Sequence, residues 1–276
     1  MEINHNNLLP IGVFDSGIGG LSVLKQLVRF LPQENYIYLG DTARVPYGNK
    51  SPEIVKQYAA ECTDFLVSKQ VKLIIAACNT VSSVALDVVS KHANNLPVIG
   101  MIEPASSAAL RESSNGRIGI IGTRATISSK AYENEITKLS GNKNLKVFSK
   151  PCPLFVPIVE EGMMKHPSTK LIATDYVRDM IDAHVDTLVL GCTHYPLLSQ
   201  LLQEIMPEVT LIDSGEHASV TALRILAEAR QLQEQRKEFI EKPNVKFYVT
   251  DLPANFAAQA NMFLGFESDK PELISL

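Results

Sequence analysis

The chain has 276 residues, 45% hydrophobic and 20% charged; it can bury a core, and its 15 glycines and 15 prolines are too few for a low-complexity or collagen-like polymer. Its 26 Lys and Arg against 30 Asp and Glu give a net charge of −4 with no run of five like charges, which argues against a nucleic-acid tail or a polybasic membrane patch. Residues 1–10 lack a basic stretch followed by an apolar core, and the longest apolar runs, 73–78 and 187–192, fall far short of the roughly 18 residues of a bilayer span, so a soluble, cytoplasmic protein without membrane or nucleic-acid partners is expected.

In chain order, short β-type apolar runs alternate with helical patterns. Residues 11–14 read as a strand, followed by a glycine turn and a helix over 21–31; 35–39 is the next strand. Ser51 caps a helix with Pro52 at its first position and Ile54, Tyr58, Cys62 and Phe65 on its apolar face. A buried strand over 72–77, a helix over 80–91 and a strand over 98–101 complete the first cycle. The second runs strand 117–121, helix 127–139 opened by Ser128 and Ser129, strand 147–148, helix 168–184, strand 187–190, helix 197–206, strand 210–212 and helix 218–233. A late strand at 246–250 and a helix around 254–264 follow. Strict alternation predicts parallel sheets covered by helices.

The two cycles resemble each other. IGVFDSG at 11–17 matches IGIIGTR at 118–124, and IIAACNT at 74–80 matches LVLGCTH at 188–194. The pattern predicts an α/β protein of two similar parallel-sheet domains related by a pseudo-twofold, residues 1–104 plus 216–276 and residues 105–215, with the active site in the cleft between them.

Chemistry concentrates at strand ends, where ligands sit in open parallel sheets. The four cysteines, Cys62, Cys78, Cys152 and Cys192, contain no C-x-x-C and no disulfide framework, so all four are expected to be free thiols. Cys78 and Cys192 each end an apolar strand and precede a polar pair at a helix start, Asn79-Thr80 and Thr193-His194, a setting that favours thiolates. Cys62, on a helix face, and Cys152, before a proline, read as structural. Asp15-Ser16-Gly17-Ile18-Gly19-Gly20 suggests a tight turn facing a ligand, but Ser22 stands where a dinucleotide fingerprint needs glycine. An acid at that strand end is hostile to phosphate and suits an ammonium group or a base partner. Tyr47-Gly48 forms a polar loop, His194 can tune the neighbouring thiol, and Glu160-Glu161 read as solvated acids. A Cys192–His194 thiol hydrolase lacks an evident orienting partner, and a non-catalytic ligand-binding regulator needs no thiols at the strand ends. No lysine sits in a recognisable Schiff-base motif, so no cofactor and no metal are expected.

DSGIGG at 15–20, GDTARVPYG at 40–48, ACNT at 77–80, IGMIEP at 99–104 and LGCTHYPLL at 190–198 resemble the glutamate racemases of the aspartate/glutamate racemase superfamily, over residues 11 to about 225. The resemblance implies cofactor-independent, two-base interconversion of L- and D-glutamate, supplying D-glutamate for cell-wall peptidoglycan. It implies that Cys78 acts on the α-proton of the D-enantiomer and Cys192 on that of the L-enantiomer, assisted by Asp15 and His194. The helper acid aligns with Glu160, although the Glu160/Glu161 pair leaves its register open. Implied substrate contacts are Asp15, Ser16, Tyr47, Gly48, Asn79, Thr80, Thr193 and His194. A homodimer is compatible with the resemblance, and aspartate racemase or a superfamily decarboxylase is the nearest alternative activity.

Overall fold

The computed structural model describes residues 5–141, 145–233, 243–252 and 254–276. The first cycle comprises β1 (Ile11–Asp15), α1 (Leu21–Phe30), β2 (Asn35–Gly40), α2 (Pro52–Ser68), β3 (Leu73–Ala76), α3 (Asn79–Val84), α4 (Leu86–His92), β4 (Val98–Ile99) and α5 (Ile102–Glu112). The second comprises β5 (Arg117–Gly122), α6 (Arg124–Ser128), α7 (Ala131–Ser140), β6 (Lys146–Pro151), α8 (Phe155–Glu160), α9 (Pro167–Asp182), β7 (Thr187–Gly191), α10 (Ser199–Ile205), β8 (Thr210–Asp213) and α11 (Ser214–Glu228). The chain ends with β9 (Asn244–Val249), α12 (Phe256–Leu264) and β10 (Glu272–Leu273).

Both sheets are wholly parallel. One has six strands in the order β10-β9-β2-β1-β3-β4, the other four in the order β6-β5-β7-β8. The four-strand order β2-β1-β3-β4 therefore recurs as β6-β5-β7-β8, the topological form of the repeat read in the sequence. β1, β3 and β7 are buried at every position because helices cover both sheet faces, which is why they read as unbroken apolar runs. α11 leaves β8 and packs on α1 and α5, so the last helix of the second cycle lies against the first.

Local boundaries differ from the sequence reading where side chains compete for the backbone. The helix expected over 80–91 is two, α3 and α4, separated at Ala85 (φ −139°, ψ 8°), and it begins one residue earlier, so that Cys78 becomes the cap. The helix expected over 127–139 is also two, with left-handed Lys130 (φ 56°) between them. Its true cap is Thr123, whose hydroxyl accepts from the Thr126 N–H, rather than Ser128 or Ser129. α5 and α8 are absent from the sequence reading. The strand assigned to 98–101 stops at Ile99 because Met101 already donates its N–H to the Ser82 hydroxyl at 3.0 Å and leads into α5. Ser51 caps α2 as expected, accepting from the Ile54 N–H. Among the described residues no helix is long and apolar enough to cross a membrane.

Candidate active site

Parallel pairing sets the site. β1 and β3 run in register from Ile11↔Leu73 to Phe14↔Ala76, so Asp15 and Cys78 emerge from neighbouring strands at one carboxyl edge. β5 and β7 reach Gly122↔Gly191, so Thr123 and Cys192 emerge together from the other sheet. Both edges open on one pocket of about 310 Å³. Its lining includes Ser16, Tyr47, Gly48, Cys78, Asn79, Thr80, Glu160, Cys192, Thr193 and His194. Thr123, Arg124, Pro153, Val156 and Pro157 also line it, and the sequence reading did not place them there. Asp15 is not among the lining residues; it lies behind Ser16 and Gly17, 1% exposed.

The Cys78 thiol donates to the Ser16 hydroxyl, with 3.6 Å between the heavy atoms. Burial pushes it up to about 11, and the Asp15 carboxylate adds to the rise, while the N–H groups of Val81 and Thr80 and the Ser16 hydroxyl pull it back. Asp15 itself is raised by burial, against the opposing charge of His194 and the N–H groups of Gly20, Gly17 and Ser16. Its Oδ2 accepts from the Gly17 N–H at 3.0 Å, whereas its Oδ1 is buried without a partner.

Cys192 has different neighbours. Burial pushes its thiol well up; the His194 N–H opposes this, and Cys78, Asp15 and Glu160 reinforce it. Its Sγ lies 3.9 Å from His194 Nδ1, and His194 Nε2 lies 2.9 Å from Glu160 Oε1. A carboxylate can only accept, so in the neutral ring Nε2 carries the proton and the Nδ1 lone pair faces the thiol. α8 turns Glu160 towards the ring and leaves Glu161 exposed. Glu160, the acid that the resemblance aligns with the family's helper position, is thus the partner that orients His194. Both thiols stand above the ordinary cysteine value rather than below it, because desolvation outweighs the few N–H dipoles at each strand end.

The remaining polar groups tie the two sheets together around the thiols. Asn79 accepts from the Tyr132 hydroxyl at 2.6 Å and donates to Ser214 Oγ at 3.3 Å. Thr80 Oγ1 lies 3.0 Å from Thr123 Oγ1, a contact between α3 and the end of β5. Ser22 donates to the Thr193 carbonyl at 2.7 Å. The turn at Gly19 must be glycine: a Cβ there would stand 2.3 Å from Thr193 Oγ1 and 2.4 Å from His194 Cε1. The Tyr47 hydroxyl donates to Asp41 Oδ2, which also accepts from the Arg44 guanidinium at 2.6 Å. Thr123 was findable, because aligning IGVFDSG with IGIIGTR sets it opposite Ser16. Tyr132 and Ser214 reach Asn79 from distant segments and leave no local signal, whereas Asp41 lies in the same GDTARVPYG stretch as Tyr47.

Cys62 and Cys152 are buried free thiols outside the pocket. Among the described residues no group of three His, Cys, Asp or Glu side chains is placed to hold a metal ion.

Residues 11–222 match the family described as Asp/Glu/Hydantoin racemase. The glutamate racemase of Chlorobaculum tepidum is 48% identical over 97% of this chain and 96% of its own. The crystal structure of Francisella tularensis glutamate racemase in complex with D-glutamate superposes with a TM-score of 0.89 at 41% identity, covering 98% of both chains. Escherichia coli glutamate racemase, in complex with L-glutamate and the activator UDP-MurNAc-Ala, superposes with a TM-score of 0.72 at 27% identity, covering 93% of this chain and 94% of that one.

Proposed function

The chain belongs to the Asp/Glu/Hydantoin racemase family and is an amino-acid racemase, and from that premise we propose that it interconverts L- and D-glutamate by exchange of the α-proton between two thiols. The observation that carries this reading is that Cys78 and Cys192, contributed by different sheets, line one small pocket. Inverting a stereocentre needs a base on one face of Cα and an acid on the other, and two thiols that converge on one substrate supply both.

In this reading the unpartnered Oδ1 of Asp15 attracts the α-ammonium group across the Ser16–Gly17 turn. Asn79, Thr80, Thr123 and Thr193 offer hydroxyl and amide donors to the carboxylates, so that local dipoles rather than net charge bind an acidic substrate. With L-glutamate bound, Cys192 passes its proton to His194 Nδ1, and Glu160 on the opposite ring nitrogen stabilises the imidazolium. The thiolate then removes the α-proton, and Cys78, held protonated by burial, delivers one to the other face. With D-glutamate the roles reverse, Cys78 taking the proton and Cys192 supplying one. Raised thiols suit this exchange: each is a secure acid when protonated and a strong base once ionised. The D-glutamate formed supplies peptidoglycan synthesis.

The test is to incubate the purified protein with L-glutamate, without added cofactor, and to follow the circular dichroism signal to zero. In deuterium oxide the product should carry deuterium at Cα. Racemisation of aspartate with glutamate left untouched, or release of carbon dioxide from a malonate-type acid, overturns the assignment.

A further inference from the structure

One helix at the end of the chain grips both members of the His194–Glu160 pair. α12 sets Phe263 edge-on to the His194 ring, with centroids 5.1 Å apart and planes at 84°. Gln259, four residues earlier and on the same helix face, donates its side-chain amide to the Glu160 backbone carbonyl at 3.2 Å. Phe263 is 1% exposed, and Phe256, Ala260 and Leu264 are buried with it, so α12 is anchored in the core. The helix lies outside the residues 11–222 that carry the family match.

We propose that Gln259 and Phe263 are positioning residues for the glutamate reaction inferred above, holding the Glu160–His194 pair so that Nδ1 keeps facing the Cys192 sulfur. Each member of the pair needs such help. Glu160 ends α8, a helix of six residues, and its side chain is 37% exposed, so the short helix alone fixes its backbone weakly. A hydrogen bond to its carbonyl fixes the point from which the carboxylate reaches Nε2. The His194 ring is held by Nε2, while the contacts of its Nδ1, 3.4 Å to the Thr193 hydroxyl and 3.9 Å to the sulfur, are long and resist rotation weakly. An aromatic edge against the ring supplies that resistance. The titratable groups facing His194 and Cys192 are Asp15, Cys78, Glu160, Tyr132 and Tyr195, none of them on α12, so α12 acts through geometry and not through charge. Cys78 takes no hydrogen bond from α12 among the described residues, so the device serves one thiol only.

The test uses the full chain with Gln259→Leu and Phe263→Leu, separately, and reads the ¹⁵N resonances of the His194 ring without substrate. The wild type should show a protonated Nε2 and an unprotonated Nδ1, and both variants should show the two nitrogens averaging. The kcat of racemisation should fall about tenfold in each variant, with KM little changed. Gln259 is only half-buried, so its replacement leaves the fold intact even if the Phe263 variant folds poorly. Wild-type ring resonances in the variants, with only a lower melting temperature, reduce the contacts to packing and overturn the proposal. Since the ring signature needs no glutamate, a wild type inactive on glutamate sinks the racemase reading and leaves the clamp to be judged on the resonances.

Discussion

The two thiols sit at equivalent strand ends of a repeated topology, yet their surroundings have little in common. Cys78 caps α3, touches the Ser16 hydroxyl and has the buried Asp15 carboxyl behind it. Cys192 follows β7 and faces an imidazole that is itself backed by a carboxylate. Burial raises both, but the Cys78 thiol reaches only about 11 while that of Cys192 is driven higher. The repeat therefore accounts for where the sulfurs are, and elements outside the repeated strands account for how each handles a proton. Cys192 has a ring nitrogen beside it as a candidate proton acceptor, whereas the hydrogen-bond partner of the Cys78 thiol is a hydroxyl.

The most severe way to break the pairing is to remove one sulfur. Cys78→Ala and Cys192→Ala should each lower racemisation by at least about 10³-fold, the loss expected of a general acid–base group. The two should differ in what survives. Cys78→Ala keeps exchange of the α-proton of L-glutamate with deuterium oxide, and Cys192→Ala keeps that of D-glutamate, both read by proton NMR. Near-normal racemisation in either variant ends the two-thiol scheme.

Asp15→Asn comes next and separates function from stability. Activity should fall by about 100-fold, the equivalent of losing a charged contact worth about 3 kcal/mol. Stability should move the other way, because the buried carboxylate is disfavoured by desolvation and its Oδ1 is unpartnered. Its folded pKa is raised, so the folded protein holds the proton longer than the unfolded chain. Wild-type stability therefore declines as pH climbs from about 3.9 through the folded value, and above it the full penalty remains. Asp15→Asn should match the wild type in melting temperature near pH 3.5 and exceed it at pH 7. A lower melting temperature for the variant at pH 7 contradicts this account of Asp15.

How much of this was readable in the sequence follows from what each feature depends on. Strands buried on both faces announce themselves as apolar runs, so Cys78 and Cys192 were visible as strand-end residues, and IGVFDSG against IGIIGTR exposed the repeat. The aim of Glu160 was not visible, since LFVPIVEE holds a proline and is too short to show helical periodicity, and only α8 turns Glu160 rather than Glu161 to His194. The direction of the thiol shifts was misread because a sequence shows the dipoles next to a sulfur and hides the desolvation around it. Asn79 meets Tyr132 and Ser214, 53 and 135 residues away, and such partners exist only after the sheets assemble.

The acids at the end of α8 sharpen the comparison on the Cys192 side. Glu160→Gln keeps the shape but offers no charge to an imidazolium, and its kcat should fall about 10- to 100-fold, the range of a charge-assisted hydrogen bond. Glu161→Gln, at an exposed position one residue on, should leave kcat at the wild-type value. Steady-state assays of both decide the register, and equal losses would remove Glu160 from its place behind His194.

The mildest test falls on the Cys78 side. The bond from the thiol to Ser16 spans 3.6 Å, and sulfur donors form weak hydrogen bonds, so its loss removes only about 0.5 kcal/mol of support. Ser16→Ala should lift the Cys78 thiol slightly further above about 11, since the hydroxyl is one of the groups that lower it. Racemisation should then fall only about two- to threefold. The effect should be one-sided, slowing deuterium exchange of D-glutamate while exchange of L-glutamate keeps its wild-type rate. A loss in Ser16→Ala as large as that in Glu160→Gln would mean that Cys78 depends on its neighbour as heavily as Cys192 does, and the unequal furnishing of the two strand ends would have no consequence for the chemistry.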